Sequence, residues 1–224
     1  MNVLVIDIGG THVKIKTPQH RTPVKIDSGP KMTPAKMASE VQKASAKWKY
    51  DRISIGYPGV VVHNKPVHEP YNLAPGWIGF DYANAFKKSV KIMNDAAMQA
   101  LGSYEGGRML FFGLGTGLGS AMVVDGIVQP MELAHLPYKG KKTYEDVLGL
   151  AGLKKLGKKK WSAEVLKVCT LLQAAMDAEY IVLGGGNVDV LKKLPENIKR
   201  GSNENAFKGG VKMWSKPHLR KQHD

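Results

Sequence analysis

The sequence holds four acids and one imidazole around which chemistry could be built: Asp7, Asp95, Glu132, His135 and Glu145. Three glycine-rich stretches stand among them, Gly9-Gly10-Thr11, residues 113–119 and residues 184–186. Glycine allows positive φ and close backbone approach, so successive N–H groups can converge on one anion. The hydroxyls of Thr11 and Thr116 add donors. Any one such stretch read alone is more simply a turn, but three of them behind strand-like runs favour a phosphate ligand. Asp95 follows Asn94 where an apolar run, 90–93, meets an alanine-rich helix start. An aspartate there can cap the helix or accept the proton of an attacking hydroxyl in phosphoryl transfer. Glu132-Leu133-Ala134-His135, with Glu145 beyond it, forms a second polar cluster. It lacks a third ligand at metal-binding spacing, and a lone histidine is often structural. A carboxylate and an imidazole can also bond the hydroxyls of a polyol and reject molecules that lack them.

Two common phosphate fingerprints are excluded. In "GLGTGLGS" the last glycine of G-x-G-x-x-G is replaced by Leu118 counted from Gly113, and by Ser120 counted from Gly115. "YKGKKT" resembles the end of a P-loop, but position 135 is His where the first glycine is required. A Rossmann dehydrogenase and a P-loop enzyme are therefore disfavoured.

The elements that must position these groups follow from periodicity. Runs 3–6 and 13–15 read as strands around the first glycine loop. Thr33-Pro34 reads as an N-cap and first helical residue, with Met37, Val41, Ala44 and Trp48 on one apolar face. Strand 53–55 leads into "GYPGVV", and 62–83 reads as a long loop. The order then restarts: strand 90–93, a helix from Asn94-Asp95, and strand, glycine loop, strand, turn at Asp125-Gly126 and strand from "MLFFGLGTGLGSAMVVDGIVQ". A helix from about Ser162 carries Val165, Val168, Cys169, Leu172 and Met176 on one face, followed by strand 180–183 and "GGGN". The chain reads as two related halves with a cleft between them for a ligand. The expected division is residues 1–94, 95–215 and a basic, flexible tail, 216–224.

Bulk composition narrows the classes. The chain has 224 residues, 43% apolar and 8% aromatic, with no apolar run of eighteen, so no transmembrane helix is expected. The short apolar start lacks a basic lead and is broken by Asp7, so no signal peptide is expected. The single cysteine, Cys169, permits no intrachain disulfide and no cysteine-based zinc site. A cytoplasmic protein is expected. The net charge of +14, from 33 basic and 19 acidic residues, favours anionic partners. Lysines cluster at 140–142, 154–160 and 216–221, as solvated faces or as an anion track.

"DIGGTHVKI", "GYPGVV", "MNDAAMQALG", "GLGTGLGSA", "ELAHL" and "YIVLGGG" occur in the order seen in ROK-family sugar kinases. The chain resembles most the short glucokinases of that family that use polyphosphate or a nucleotide, over about residues 2–214. The resemblance implies an α/β actin-like ATPase (ribonuclease H-like) fold, a duplicated two-lobe architecture with a central cleft. It implies a first phosphate loop of Asp7, Gly9, Gly10 and Thr11, with Asp7 helping to hold Mg²⁺ through water. Gly115, Thr116 and Gly117 form the second phosphate loop, and Gly184 and Gly185 border the nucleoside. Asp95 matches the general base for the 6-hydroxyl of glucose. Asn94, Glu132, His135 and Glu145 match sugar-hydroxyl contacts, with Asn72 and Gly59 as weaker matches. Two departures stand out. Ala134 replaces a glycine of the family's E-x-G-H, and the cysteine-rich zinc motif of longer relatives is missing, so no zinc is expected. That leaves Glu145 to be placed by "GKKTYEDVLG" alone.

The expected partners are glucose or a related hexose with polyphosphate, ATP or both, and no membrane. A strictly ATP-dependent kinase of mannose or glucosamine, or a non-catalytic sugar- or polyanion-binding regulator, are the alternatives. Family repressors carry a helix-turn-helix ahead of the kinase-like part, and Asp7 leaves no room for one here. Nucleic acid is disfavoured for want of a recognisable module or interleaved aromatics. A homodimer is admitted, and the sequence leaves the oligomeric state open.

Overall fold

A computed structural model of the chain describes residues 1–215. The expected tail, 216–224, lies outside them. Contacts group the described residues into two compact units, Met1–Met98 with Ala206–Ser215, and Gln99–Asn205.

The first unit is built on β1 (Val3–Ile8), β2 (His12–Lys16) and β3 (Val24–Asp27), an antiparallel meander. α1 (Pro34–Ala44) follows, then β4 (Arg52–Tyr57), a small hairpin of β5 (Val61–Val62) and β6 (Lys65–Pro66), α2 (Tyr82–Phe86) and β7 (Ser89–Asn94). The sheet order is β3-β2-β1-β4-β7, with β4 parallel to both β1 and β7. A strand flanked by neighbours and covered on both faces must be apolar throughout. Val3, Leu4, Val5, Ile6 and Ile8 are accordingly almost fully buried. α1 starts as its sequence signals: Thr33 Oγ1 accepts a hydrogen bond from Lys36 N at 3.2 Å, and Pro34 occupies the first turn. It ends at Ala44, so Trp48 is not on the helix. The Trp48 ring instead stacks on His20, with centroids 3.9 Å apart. Within 62–83, read as loop, the structure forms β6 and the start of α2.

The second unit repeats the plan. α3 (Asp95–Ser103) leads into β8 (Arg108–Leu114), β9 (Leu118–Val124) and β10 (Ile127–Met131), again an antiparallel meander. Asp125 and Gly126 turn between β9 and β10 with φ of 50° and 79°, the paired positive values a two-residue hairpin requires. β11 (Pro137–Lys139), β12 (Lys142–Thr143), α4 (Tyr144–Leu148), α5 (Leu150–Met176), β13 (Tyr180–Gly184), β14 (Ile198–Arg200) and α6 (Glu204–Lys212) complete the chain. The order β10-β9-β8-β13-β14 matches the first sheet strand for strand. α5 begins twelve residues before the expected start near Ser162 and bends at Gly157, whose φ is 73°. The lysine cluster 154–160 therefore lies on a helix.

The sequence expectation ran the second lobe from 95 to 215. Contacts move the division to Met98 and return Ala206–Ser215 to the first unit. The cause is local packing. Gly210 lies so close to Val5 that a methyl there would overlap the valine side chain. Buried Ser54 on β4 donates its hydroxyl to Gly210 O at 2.6 Å and accepts from Trp214 Nε1 at 2.9 Å. Arg52 and Lys91 lie 4.8 and 4.7 Å from the Trp214 ring centroid, a cation–π arrangement.

Candidate active site

In the first unit, Asp7 is the penultimate residue of β1, and Gly9, Gly10 and Thr11 make the turn into β2. The stretch is thus a hairpin turn and a candidate anion loop at once. Gly9 N donates to His12 O at 3.0 Å, and a methyl on Gly9 would sit 2.9 Å from that oxygen. Gly10 is covered by Asn72, whose Cβ would lie 3.1 Å from such a methyl. Thr11 is exposed, with His12 Nδ1 3.2 Å from its hydroxyl. The Asp7 side chain is only 13% exposed, and Lys14 Nζ lies 3.6 Å from Oδ2. Burial pushes the Asp7 carboxyl above its usual range, and the Lys14 ammonium offsets part of that rise. Magnesium keeps much of its water and is held by one or two carboxylates plus substrate phosphates. A single carboxylate at the foot of a phosphate loop fits that donor set, and Asp7 would hold the ion through water.

Asp95 opens α3, half-buried, and its Oδ1 accepts from Ala96 N at 2.8 Å. The cap of that helix falls to Asn94, whose Oδ1 accepts from Ala97 N at 3.0 Å. Asn94 also donates from Nδ2 to Gly59 O at 3.2 Å. Asn94, Asp95 and Gly59 are therefore brought together, and the capping role that competed for Asp95 is taken by its neighbour. The segment carrying Asn72 is clasped by Glu69, whose carboxylate accepts from the backbone N–H groups of Gly76, Trp77 and Ile78. Burial raises the Glu69 pKa, but those three donors outweigh it and leave it lowered.

In the second unit, Gly115, Thr116 and Gly117 link β8 to β9, with Gly115 N donating to the carbonyls of Gly113 and Gly117. Gly117 is covered by the Glu145 carboxylate, and Leu118 N donates to Glu145 Oε2 at 3.0 Å. Gly115 differs. Its φ is not positive, and among the described residues, its chain neighbours aside, no atom lies within 4 Å of where a methyl would stand. The third glycine stretch is bound to the second through Asn187, whose N donates to Leu114 O at 2.9 Å and whose Nδ2 donates to Gly115 O at 2.8 Å. Gly184 and Gly185 adjoin Phe111 and the Leu114 backbone. Glu132 and His135 face each other at 3.6 Å with both side chains more than half exposed. Between them Ala134 is buried in the core, so the methyl that replaces the family's glycine is absorbed by packing.

Lys14, Glu69 and Asn187 are contributors that the sequence reading passed over. Lys14 was legible, because a three-residue turn pairs it across the hairpin with Asp7. The partners of Glu69 and Asn187 are backbone atoms, which carry no sequence signal. Lys139 and Lys142 meet Lys155 at a pocket of about 120 Å³ that Asp146 and Glu164 also line. Lys139 is held there by Glu164 at 2.6 Å. Among the described residues no three His, Cys, Asp or Glu side chains group to hold a metal ion, and no helix is long and apolar enough to cross a membrane.

Two units, each with the same five-strand order and a glycine loop after its first strand, give a duplicated two-lobe α/β fold of the actin-like ATPase type. No family model matches the chain. It is similar to the polyphosphate glucokinase of Mycobacterium leprae, 29% identical over 201 residues that cover 82% of this chain and 59% of that protein. The chain thus spans about three-fifths of that relative's length. Among solved structures, the inorganic polyphosphate/ATP-glucomannokinase from Arthrobacter sp. strain KM superposes with a TM-score of 0.79 at 22% identity, covering 94% of this chain and 96% of that one. A ROK family glucokinase from Streptomyces griseus in complex with glucose and AMPPNP gives 0.72 at 13% identity, covering 95% and 99%.

Proposed function

We propose that the chain is a sugar kinase that transfers a phosphoryl group from polyphosphate, ATP or both to the 6-hydroxyl of glucose. The observation that carries this reading is the open space at Gly115. Neither backbone conformation nor packing requires a glycine there, so the remaining reason for it is a ligand that comes close to the main chain. The half-buried Asp95 supplies the carboxylate such a transfer uses, and a curated relative 29% identical over 201 residues is a polyphosphate glucokinase.

In the reaction the glucose O6 attacks the terminal phosphorus of the donor, the bond to the donor's bridging oxygen breaks, and the O6 proton passes to Asp95. The family resemblance gives the charge on the transferred group to N–H groups of the glycine loops other than Gly9 N and Gly115 N, which are bonded within their own turns. Asp7 would hold a magnesium ion through water, and such an ion would supply positive charge to phosphate oxygens. The family resemblance gives sugar hydroxyls to Asn72, Asn94, Gly59, Glu132 and His135, and the border of a nucleoside, when ATP is the donor, to Gly184 and Gly185. Lys142 and Lys155 give a polyphosphate chain a basic wall.

Gly115→Val tests the carrying observation. It is expected to stay within a few degrees of the wild-type melting temperature, because an added Cβ has no atom of the described residues within 4 Å beyond its chain neighbours, and to raise the donor KM by about tenfold or more. An unchanged donor KM would remove the basis for the loop assignment. Donor choice is read from initial rates with ATP and with polyphosphate across a salt series. The polyphosphate rate is expected to fall more steeply, since contacts with several surface lysines are screened by salt. Equal salt dependence would speak against the lysine wall.

A further inference from the structure

We infer that Glu145 is a positioning residue for the phosphoryl donor: it holds the second glycine loop in its binding shape. The inference rests on the kinase reading and assigns this carboxylate to the donor side of the reaction, where the family resemblance would give it a sugar hydroxyl.

The loop is fastened at two points by one short segment of chain. Glu145 Oε2 accepts from Leu118 N at 3.0 Å, on the β9 side. Five residues on, Leu150 N donates to Thr116 O at 3.1 Å. Both contacts come from the α4–α5 junction, which is itself closed by Gly149 N donating to Glu145 O at 2.8 Å. Gly149 must be glycine for this approach, since a methyl there would lie 2.8 Å from Glu145 O and 2.9 Å from Thr116 O. The Glu145 carboxylate occupies the space a side chain on Gly117 would take, so a methyl there would displace it. A capping box fixes the start of α4. Asp146 N donates to Thr143 Oγ1 at 3.2 Å, and Thr143 N donates to Asp146 Oδ2 at 2.9 Å. The direction of Glu145 is thus set before any ligand arrives. Two of the three glycine positions in this region serve the anchor, and the third, Gly115, stays open. Donors held in place before binding cost less to organise around a phosphate than a loop that must be ordered by it.

The test compares Glu145→Ala with Glu145→Gln. The alanine variant removes the acceptor for Leu118 N, whereas glutamine keeps a carbonyl oxygen in reach of it. Hydrogen exchange at the Leu118 amide should rise on the order of tenfold in the alanine variant and stay near wild type in the glutamine variant. With ATP and with polyphosphate of fixed length, the donor KM should rise about tenfold or more for alanine and recover with glutamine. Glucose affinity, titrated without donor, should change by less than about threefold. Unaltered Leu118 exchange in Glu145→Ala, or a loss confined to glucose affinity, would overturn the assignment. If the alanine variant does not fold, Gly117→Ala displaces the same carboxylate and should give the same rise in exchange and donor KM; wild-type values for both would count against the inference. Exchange is read without turnover, so a chain that phosphorylates nothing would sink the kinase reading and leave the anchor result intact.

Discussion

Asp95→Asn is expected to cut turnover by about a thousandfold, the usual range for loss of a positioned general base. The variant should fold normally. Asparagine keeps an oxygen to accept from Ala96 N, as Asp95 Oδ1 does at 2.8 Å, and the cap of α3 is made by Asn94. The substitution removes the capacity to accept a proton. Glucose affinity should stay within about threefold of wild type, and the loss should appear in kcat with both donors. Single-turnover kinetics beside a glucose titration separates the two quantities. Turnover within about tenfold of wild type would exclude Asp95 as the base.

Gly185→Ala should be among the most damaging single methyls in the second unit. The residue has φ of +85°, and a methyl would stand 2.5–2.6 Å from Leu114 backbone atoms. Left-handed backbone with a Cβ costs roughly 1–2 kcal/mol, and overpacking against fixed atoms roughly 1–3 kcal/mol more. A loss of about 3 kcal/mol lowers the melting temperature by roughly 6–12 °C in a chain of this size. The shift also breaks the link by which Asn187 holds Gly115 O, so donor affinity should fall with stability. Gly186→Ala is the matched control. Its φ is not positive and nothing lies within 4 Å of the added methyl, so its melting temperature should not move by more than a degree or two. Thermal unfolding of the pair decides the matter. Equal melting temperatures would mean that the third glycine stretch is not packed as described.

Much of the architecture was legible in the chain. β1, β8 and β13 carry continuous apolar runs, and β2 alternates as a half-buried strand does. The Thr33-Pro34 start of α1 and the Asp125-Gly126 turn follow directly from capping and turn chemistry. Other elements were hidden for physical reasons. The first turns of α5 are lysine-rich and interrupted by Gly157, so no apolar face announces them. α6 carries an apolar face, but nothing in its residues says that Gly210 will lie against Val5 far back in the chain. Site residues divide in the same way. Asp7, Asp95 and the glycine loops stand at strand ends that periodicity finds. Glu145 could be singled out as an acid, but its partner, the amide of Leu118, leaves no mark in the sequence.

The most direct test of the central claim is a product assay. Purified protein with glucose, magnesium and either ATP or polyphosphate should yield glucose 6-phosphate, detected by a coupled dehydrogenase, with at least one donor. The product should vanish in Asp95→Asn. Absence of glucose 6-phosphate with both donors, from protein shown to be folded, would contradict the account.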